Sequence, residues 1–85
     1  EASGNCTTIY FKDGSRYLDT RTLKIYENLL NPSKFSRVHK SHIINLSLMR
    51  EYVNEDGHFA VLEGNIRVPI ARNRVTDFVK MLKEL

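Results

Sequence analysis

Short runs of strand-forming residues that end in turn signals constrain this chain more than any other feature. Residues 6–12 are dominated by β-branched and aromatic side chains, and Asp13 and Gly14 follow directly. Asp-Gly between two strand-like runs is typical of a hairpin, because both central positions of a type I′ turn need positive φ. We therefore predict a hairpin with strands at residues 6–12 and 15–19, a type I′ turn between them, and a loop at residues 2–5.

The second half of the chain has the pattern of a three-stranded antiparallel meander. Strand-like runs at residues 50–54, 58–63 and 66–70 are separated by two short turns that contain glycine. Pro69 lies in the last run, and proline cannot donate a backbone hydrogen bond to a neighbouring strand. The last strand is therefore predicted to end there or to lie at an edge of its sheet.

Two segments have helical periodicity. A short helix is predicted near residues 22–30, with Thr20 or Thr22 as its N-cap. A C-terminal helix is predicted near residues 74–85, after an N-cap at Asn73. Its apolar face comprises Val75, Phe78, Val79, Leu82 and Leu85. The expected fold class is thus mainly β with two helices, built from hairpins and a meander.

The length of the chain, 85 residues, predicts a single domain with a small core. Cys6 is the only cysteine, so no disulfide can form within the chain. The apolar runs are too short to span a membrane, and we expect no membrane partner. The chain starts at Glu1 without a methionine, which we interpret as a piece excised from a longer protein.

The charges are segregated, although the net charge is only +3. Residues 28–50 and 64–76 contain seven lysines and arginines and no acidic residue. Two such windows that meet in space would form one positive face. Within the first window, residues 35–45 interleave basic and large apolar side chains, which predicts a basic loop anchored at both ends. Such a loop suits an anionic partner, of which a phosphate backbone is the commonest.

Arg72, Asn73 and Arg74 join the last strand to the last helix, so their side chains leave the protein from a fixed backbone. An arginine there can donate two parallel hydrogen bonds to guanine, or it can bind phosphate. The alternative is that these arginines are ordinary solvated charges, or that Arg74 pairs with Asp77.

Other chemistries have weaker support. His39 and His42 could begin a metal site, but two imidazoles need further ligands. No nucleophile signature accompanies Cys6 or any serine. We therefore expect no enzyme activity, no metal and no cofactor. The alternative to DNA binding is a protein-interaction or sensory module whose basic loops dock an acidic partner.

Four segments resemble one known family: residues 1–10, 13–14, 35–45 and 68–72. The central segment has the order aromatic, Arg-x-His-Lys-Ser, then an Ile pair and Asn. Over nearly its whole length the chain resembles the LytTR-type DNA-binding domain, the output domain of LytR/AgrA-type bacterial response regulators. The resemblance implies a cytoplasmic, sequence-specific regulator of transcription whose loops, rather than a recognition helix, contact double-stranded DNA.

The resemblance implies contacts from three loops: one before the first hairpin, one in the middle of the central segment, and one after the last strand. Together with the neighbours at the strand–helix junction, the candidate DNA-binding residues are Asn5, Thr7, His39, Lys40, Arg72, Asn73 and Arg74.

The resemblance further implies strands and a receiver domain upstream of Glu1, so that residues 1–85 are one N-terminally truncated LytTR-type domain. The strand at residues 6–12 would then lack a neighbour, and an unpaired edge favours self-association. A homodimer on repeated DNA half-sites is a separate expectation.

Overall fold

The computed structural model describes residues 1–4 and 6–84, and of Ser3 it describes the backbone only. Its strands in chain order are β1 (Ala2–Ser3), β2 (Cys6–Tyr10), β3 (Arg16–Asp19), β4 (Phe35–His39), β5 (His42–Asn45), β6 (Met49–Asn54), β7 (His58–Leu62) and β8 (Ile66–Pro69). The helices are α1 (Leu23–Leu29) and α2 (Val75–Lys83), and 3-10 turns lie at Leu46–Leu48 and Arg72–Arg74.

The strands form three sheets in which neighbours in sequence pair antiparallel, with the orders β1-β2-β3, β4-β5 and β6-β7-β8. The predicted fold class, mainly β with two helices, is confirmed. The predicted meander is the third sheet, and Pro69 ends its edge strand β8. The central segment at residues 35–45, predicted as a basic loop anchored at both ends, forms the β4–β5 hairpin.

The turn of the first hairpin differs from the predicted type I′. Gly14 has φ 90, whereas Asp13 is not among the residues with positive φ. The Asp13 carboxylate accepts a hydrogen bond from the backbone N–H of Ser15 at 2.8 Å, which ties the turn from within. The N–H of Gly14 donates to the carbonyl of Phe11, and the N–H of Phe11 donates to the carbonyl of Ser15. The loop between Phe11 and Ser15 therefore has three residues, 12–14. Only glycine takes the left-handed position in this loop.

The predicted loop at residues 2–5 contains the short strand β1. Ala2 pairs with Thr7, and the N–H of Thr8 donates to the carbonyl of Glu1 at 2.8 Å. Strand β1 therefore covers residues 6–8 of the edge that was expected to be unpaired, so the expectation is wrong for that part of the strand. Self-association through residues 9–12 stays a prediction.

The main core lies where the β4–β5 hairpin, the β6-β7-β8 sheet and α2 meet. Its buried residues are Val38, Ile44, Leu46, Ala60, Ile70 and Phe78. Val38 on β4 and Ile44 on β5 both belong to this core. The backbone on either side of the hairpin turn is therefore fixed to the rest of the domain.

Helix α2 begins one residue later than predicted and without the predicted cap. The N–H of Arg74 donates to the carbonyl of Ala71 at 2.8 Å, so residues 72–74 form a 3-10 turn before the helix starts. Asn73 lies inside that turn, and the α2 N-cap position, Arg74, makes no side-chain capping bond. At α1 the predicted Thr22 does occupy the N-cap position, again without a side-chain capping bond. The last residue of the predicted apolar face, Leu85, lies outside the described residues.

A polar network joins the first sheet to α1. Asp19 is 9% exposed. Its carboxylate accepts hydrogen bonds from the Arg21 guanidinium at 2.7 Å, from the hydroxyl of Tyr26, and from the Arg21 backbone N–H at 3.0 Å. The guanidinium first, and then the phenol, hold the pKa of Asp19 well below its usual value.

Asp19→Asn is expected to make stability less sensitive to acid. The pKa of Asp19 is depressed in the fold, so the stabilisation by its ionised form is fully present above the unfolded-state pKa of about 3.9. This stabilisation is lost progressively as pH falls from there through the lower folded-state pKa. The variant should melt at a lower temperature than wild type at pH 7, and the difference in melting temperature should shrink progressively from pH 4 to pH 2. Melting curves at pH 7, 4, 3 and 2 measure this. A constant difference in melting temperature across that range would assign the effect to something other than the carboxylate charge.

Candidate nucleic-acid interface

The β4–β5 hairpin presents the central basic residues at its turn. His39 pairs with His42, and Lys40 and Ser41 form the turn between them. The Lys40 side chain is exposed, whereas His39 is half-buried and its Nδ1 accepts the N–H of Ser41 at 3.1 Å. The pairing shifts register between Arg37 and His39, and such bulges redirect side chains at functional edges of sheets. Lys40 is therefore the residue that this turn exposes to an approaching partner.

Arg37 fastens the same turn from inside. Its Nη2 donates to the carbonyl of Lys40 at 2.7 Å, and its Nε to the carbonyl of His39 at 3.4 Å. Its Nη1 donates to Oε1 of Glu27 on α1 at 3.0 Å. Charge spacing in the sequence gives Arg37 as one more positive charge of the window and does not tell where its guanidinium points.

The strand–helix junction lies directly beside β4. The N–H of Ala71 donates to the carbonyl of Val38 at 2.7 Å, and Nη1 of Arg74 donates to the carbonyl of Arg37 at 3.2 Å. Arg72 and Asn73 are exposed, whereas Arg74 is half-buried. The two acid-free windows therefore meet in space. Within residues 1–4 and 6–84, Arg74 forms no ion pair with Asp77, so that alternative is not observed.

The first loop reaches the same turn through its backbone. The N–H of Ala2 donates to the carbonyl of Ser41 at 2.8 Å, which places β1 next to the β4–β5 turn. Asn5, the first candidate in this loop, lies outside the described residues. Two segments that are far apart in sequence, β1 and the strand–helix junction, thus meet the β4–β5 hairpin.

Thr7, the other candidate in the first loop, faces the protein interior. It is 2% exposed, and its hydroxyl donates to the carbonyl of Arg21 at 2.7 Å. It pairs with Asp19 across β2 and β3, so both side chains lie on the same inward face of the first sheet. The expected groove contact by Thr7 does not fit this burial, because a partner could not touch its hydroxyl without opening the sheet.

Not all of the basic residues in the two acid-free windows are exposed to solvent. Of the seven basic residues in the two windows, Arg37 and Arg74 are half-buried and bond to backbone carbonyls. The exposed ones are Lys34, Lys40, Arg50, Arg67 and Arg72. Lys40 lies in the hairpin turn, and Arg72 lies in the junction, next to the bond between Ala71 and Val38. Both are therefore exposed cations near the point where the two windows meet.

The two histidines of the hairpin lie against each other, with ring centroids 5.2 Å apart. Burial lowers the pKa of His42 below its usual value. Among the residues that the structure describes, no group of three or more His, Cys, Asp or Glu side chains is arranged to hold a metal ion. Over the same part of the chain, neither helix has the length and apolar character needed to cross a bilayer.

Comparison with known proteins gives the family of the chain. The family model described as the LytTr DNA-binding domain matches residues 1–83. The heme-containing CO-sensing transcriptional regulator RcoM 2 of Paraburkholderia xenovorans (strain LB400) is 33% identical over 85 residues, which cover 96% of this chain and 32% of the relative. The transcriptional regulatory protein LytR of Staphylococcus aureus (strain N315) is 31% identical over 74 residues, which cover 85% of this chain and 30% of the relative. The chain spans about a third of the length of these curated relatives.

A solved structure has the same fold. It is described as the LytTr DNA-binding domain of a putative methyl-accepting/DNA response regulator from Bacillus cereus. The TM-score is 0.86 at 23% sequence identity, and the match covers 96% of this chain and 76% of that chain. Because the family model matches nearly every residue, the chain belongs to the LytTR family of DNA-binding domains found in transcriptional regulators.

Proposed function

We propose that this domain binds double-stranded DNA in a sequence-specific manner, by inserting its β4–β5 turn and its β8–α2 junction into the grooves. The observation that carries the proposal is the convergence of these segments, through the bonds from Ala71 to Val38 and from Ala2 to Ser41. The exposed side chains of Lys40 and Arg72 then extend into solvent from neighbouring points of a backbone that these bonds hold rigid. A rigid platform suits groove recognition, because little side-chain and loop entropy is lost on binding.

The candidate residues take different roles in this proposal. Lys40 meets the phosphate backbone, and Arg72 reads a base edge, with Asn73 beside it as a second donor and acceptor. His39 orients the turn, since its ring nitrogen accepts the N–H of Ser41. Arg74 donates a hydrogen bond to the carbonyl of Arg37, so its role in this proposal is to hold the junction against β4 rather than to contact DNA.

The biological setting is the control of transcription in the bacterial cytoplasm, with this domain as the output module of a longer regulator. The similarity to a putative response regulator supports a receiver domain as the input module. The relative RcoM 2 is named as a heme-containing CO sensor, which indicates that related output modules are also joined to other inputs. Two copies on repeated half-sites would then increase affinity and specificity together.

A duplex-binding assay at several salt concentrations tests the proposed function. A library of random duplexes should yield an enriched motif, and affinity for that motif should fall steeply with salt as condensed counterions are released. Equal affinity for all duplexes, or preference for an acidic polypeptide over the selected duplex, would reject sequence-specific DNA binding. The latter result would favour the interaction-module alternative.

Lys40→Ala is expected to weaken binding to every duplex and to reduce the salt dependence. One lost phosphate contact lowers the slope of log K against log salt concentration by about one unit. Lys34→Ala is the matched control, since it removes the same charge from the same window. The Lys34 carbonyl accepts the N–H of Leu46, so Lys34 lies at the far end of the hairpin, away from the turn. A similar reduction in slope for both variants would show that net charge, and not the turn, determines binding.

A further inference from the structure

Arg37 is a basic residue of the central segment whose side chain is largely buried and hydrogen-bonded within the domain. Its side chain is 17% exposed, whereas the side chain of Lys40 is exposed. The three nitrogens of its guanidinium each donate to a different acceptor: the carbonyl of Lys40, the carbonyl of His39 and the carboxylate of Glu27. The donors of this side chain therefore point at the protein, even though Arg37 lies in the central basic segment.

A phosphate contact by Arg37 would be costly. The guanidinium would have to leave a carboxylate at 3.0 Å and two carbonyls of the turn, which would lose their partners. Hydrogen bonds that involve a charged group are among the stronger ones in proteins, and breaking them offsets what a phosphate would contribute. The positive charge of Arg37 is also neutralised locally by Glu27.

We propose that Arg37 is a positioning residue of the DNA interface: it holds the Lys40–Ser41 turn in its binding conformation and does not itself touch DNA. The inference rests on the proposed function, since it deepens the role of the same turn. The bond to the Lys40 carbonyl fixes the residue whose side chain meets the partner. Glu27 holds the guanidinium in place from α1, and so links that helix to the turn.

The planar fork of arginine is needed for this role. A lysine at position 37 would keep the charge and most of the stem, but its single ammonium cannot donate to three acceptors that surround a planar group. A charge-only contact to phosphate, in contrast, tolerates lysine well. Arg37→Lys and Arg37→Ala therefore separate positioning from charge.

The test measures the Kd of the selected duplex over a series of salt concentrations for wild type, Arg37→Ala and Arg37→Lys. We expect both variants to bind about tenfold more weakly, with a salt slope unchanged from wild type, since no phosphate contact is removed. Lys40→Ala provides the comparison slope. A loss of about one unit of slope in Arg37→Ala, together with near-normal binding by Arg37→Lys, would overturn the proposal and make Arg37 a phosphate contact.

Hydrogen exchange of the free domain tests the fastening without DNA. The N–H of Ser41, which donates to His39, should exchange about tenfold faster in both Arg37 variants. The amide of the buried residue Ile70, which donates to the carbonyl of His58, should keep its protection. Unchanged exchange at Ser41 would overturn the proposal. Because this measurement needs no duplex, it distinguishes failure of the positioning role from failure of DNA binding itself. It also identifies a variant that has merely unfolded, in which every amide would lose protection.

Glu27→Gln adds an independent discriminator. Its amide oxygen can still accept the bond from Nη1 of Arg37, so we expect duplex affinity and Ser41 exchange within about twofold of wild type. If Arg37 were a phosphate contact restrained by Glu27, this variant would release it and raise both the affinity and the salt slope. That result would count against the positioning role.

Discussion

Phe78→Ala is expected to lower the free energy of unfolding by about 3–5 kcal/mol, the usual cost of truncating a buried phenylalanine. Phe78 is 3% exposed on α2, in the same buried cluster as Val38 and Ile70. Its ring packs against that of Tyr52 on β6, with centroids 6.3 Å apart. Small domains are stable by only about 5–15 kcal/mol, so the loss is a large share of the total. Urea denaturation followed by circular dichroism gives the value.

Phe11→Ala is the matched control for this prediction. Phe11 follows β2 and is 52% exposed, so the same substitution removes an aromatic side chain that solvent already reaches. We expect a loss of at most about 1 kcal/mol there, because substitutions of exposed side chains have small effects on stability. If Phe78→Ala and Phe11→Ala shift the urea midpoint equally, α2 does not pack on the sheets as the structure has it.

The fold follows from the sequence where periodicity and turn chemistry act locally. The meander at β6-β7-β8 and the helix α2 were predicted, because alternating and helical apolar patterns each span several residues. The turn at Asp13 was predicted with the wrong geometry, since a side-chain bond to Ser15 decides its conformation. Strand β1 has two residues, which is too short for any pattern, and it exists because the β2 edge and the Ser41 carbonyl are nearby.

The site follows less completely, because sequence gives the charge of a residue and not its direction. Lys40 and Arg37 are both basic and three residues apart, yet one side chain is exposed and the other bonds to the turn. Thr7 is a polar residue in a strand that alternates faces, and its burial follows from its pairing with Asp19. Arg74 is drawn inward by the carbonyl of Arg37, thirty-seven residues earlier in the chain. Such long-range partners have no local sequence signal.

Arg72→Ala is expected to have the largest effect on recognition of the target sequence. Arg72 is exposed at the start of a 3-10 turn, and its neighbour Ala71 is bonded to Val38 in the core. The side chain therefore leaves the domain from a fixed point, and its fork can donate to both acceptors of a guanine. Loss of such a contact reduces discrimination by about 1–3 kcal/mol, or roughly fivefold to 150-fold in the ratio of specific to random binding. Competition between the selected duplex and a scrambled one measures that ratio.

Arg67→Ala separates base contact from loss of charge. Arg67 is an exposed arginine in the same acid-free window, and its guanidinium lies over the ring of Phe59 at 4.5 Å from the centroid. It pairs with Val61 across the meander, on the face opposite to Ala60 and the core. The two variants change the net charge equally, so any non-specific electrostatic loss should be similar. A drop in the specificity ratio confined to Arg72→Ala identifies a base contact. Equal losses of Arg72→Ala on the selected and scrambled duplexes would instead assign Arg72 to the phosphate backbone, and the sequence preference would then have to come from Asn73 or the β4–β5 turn.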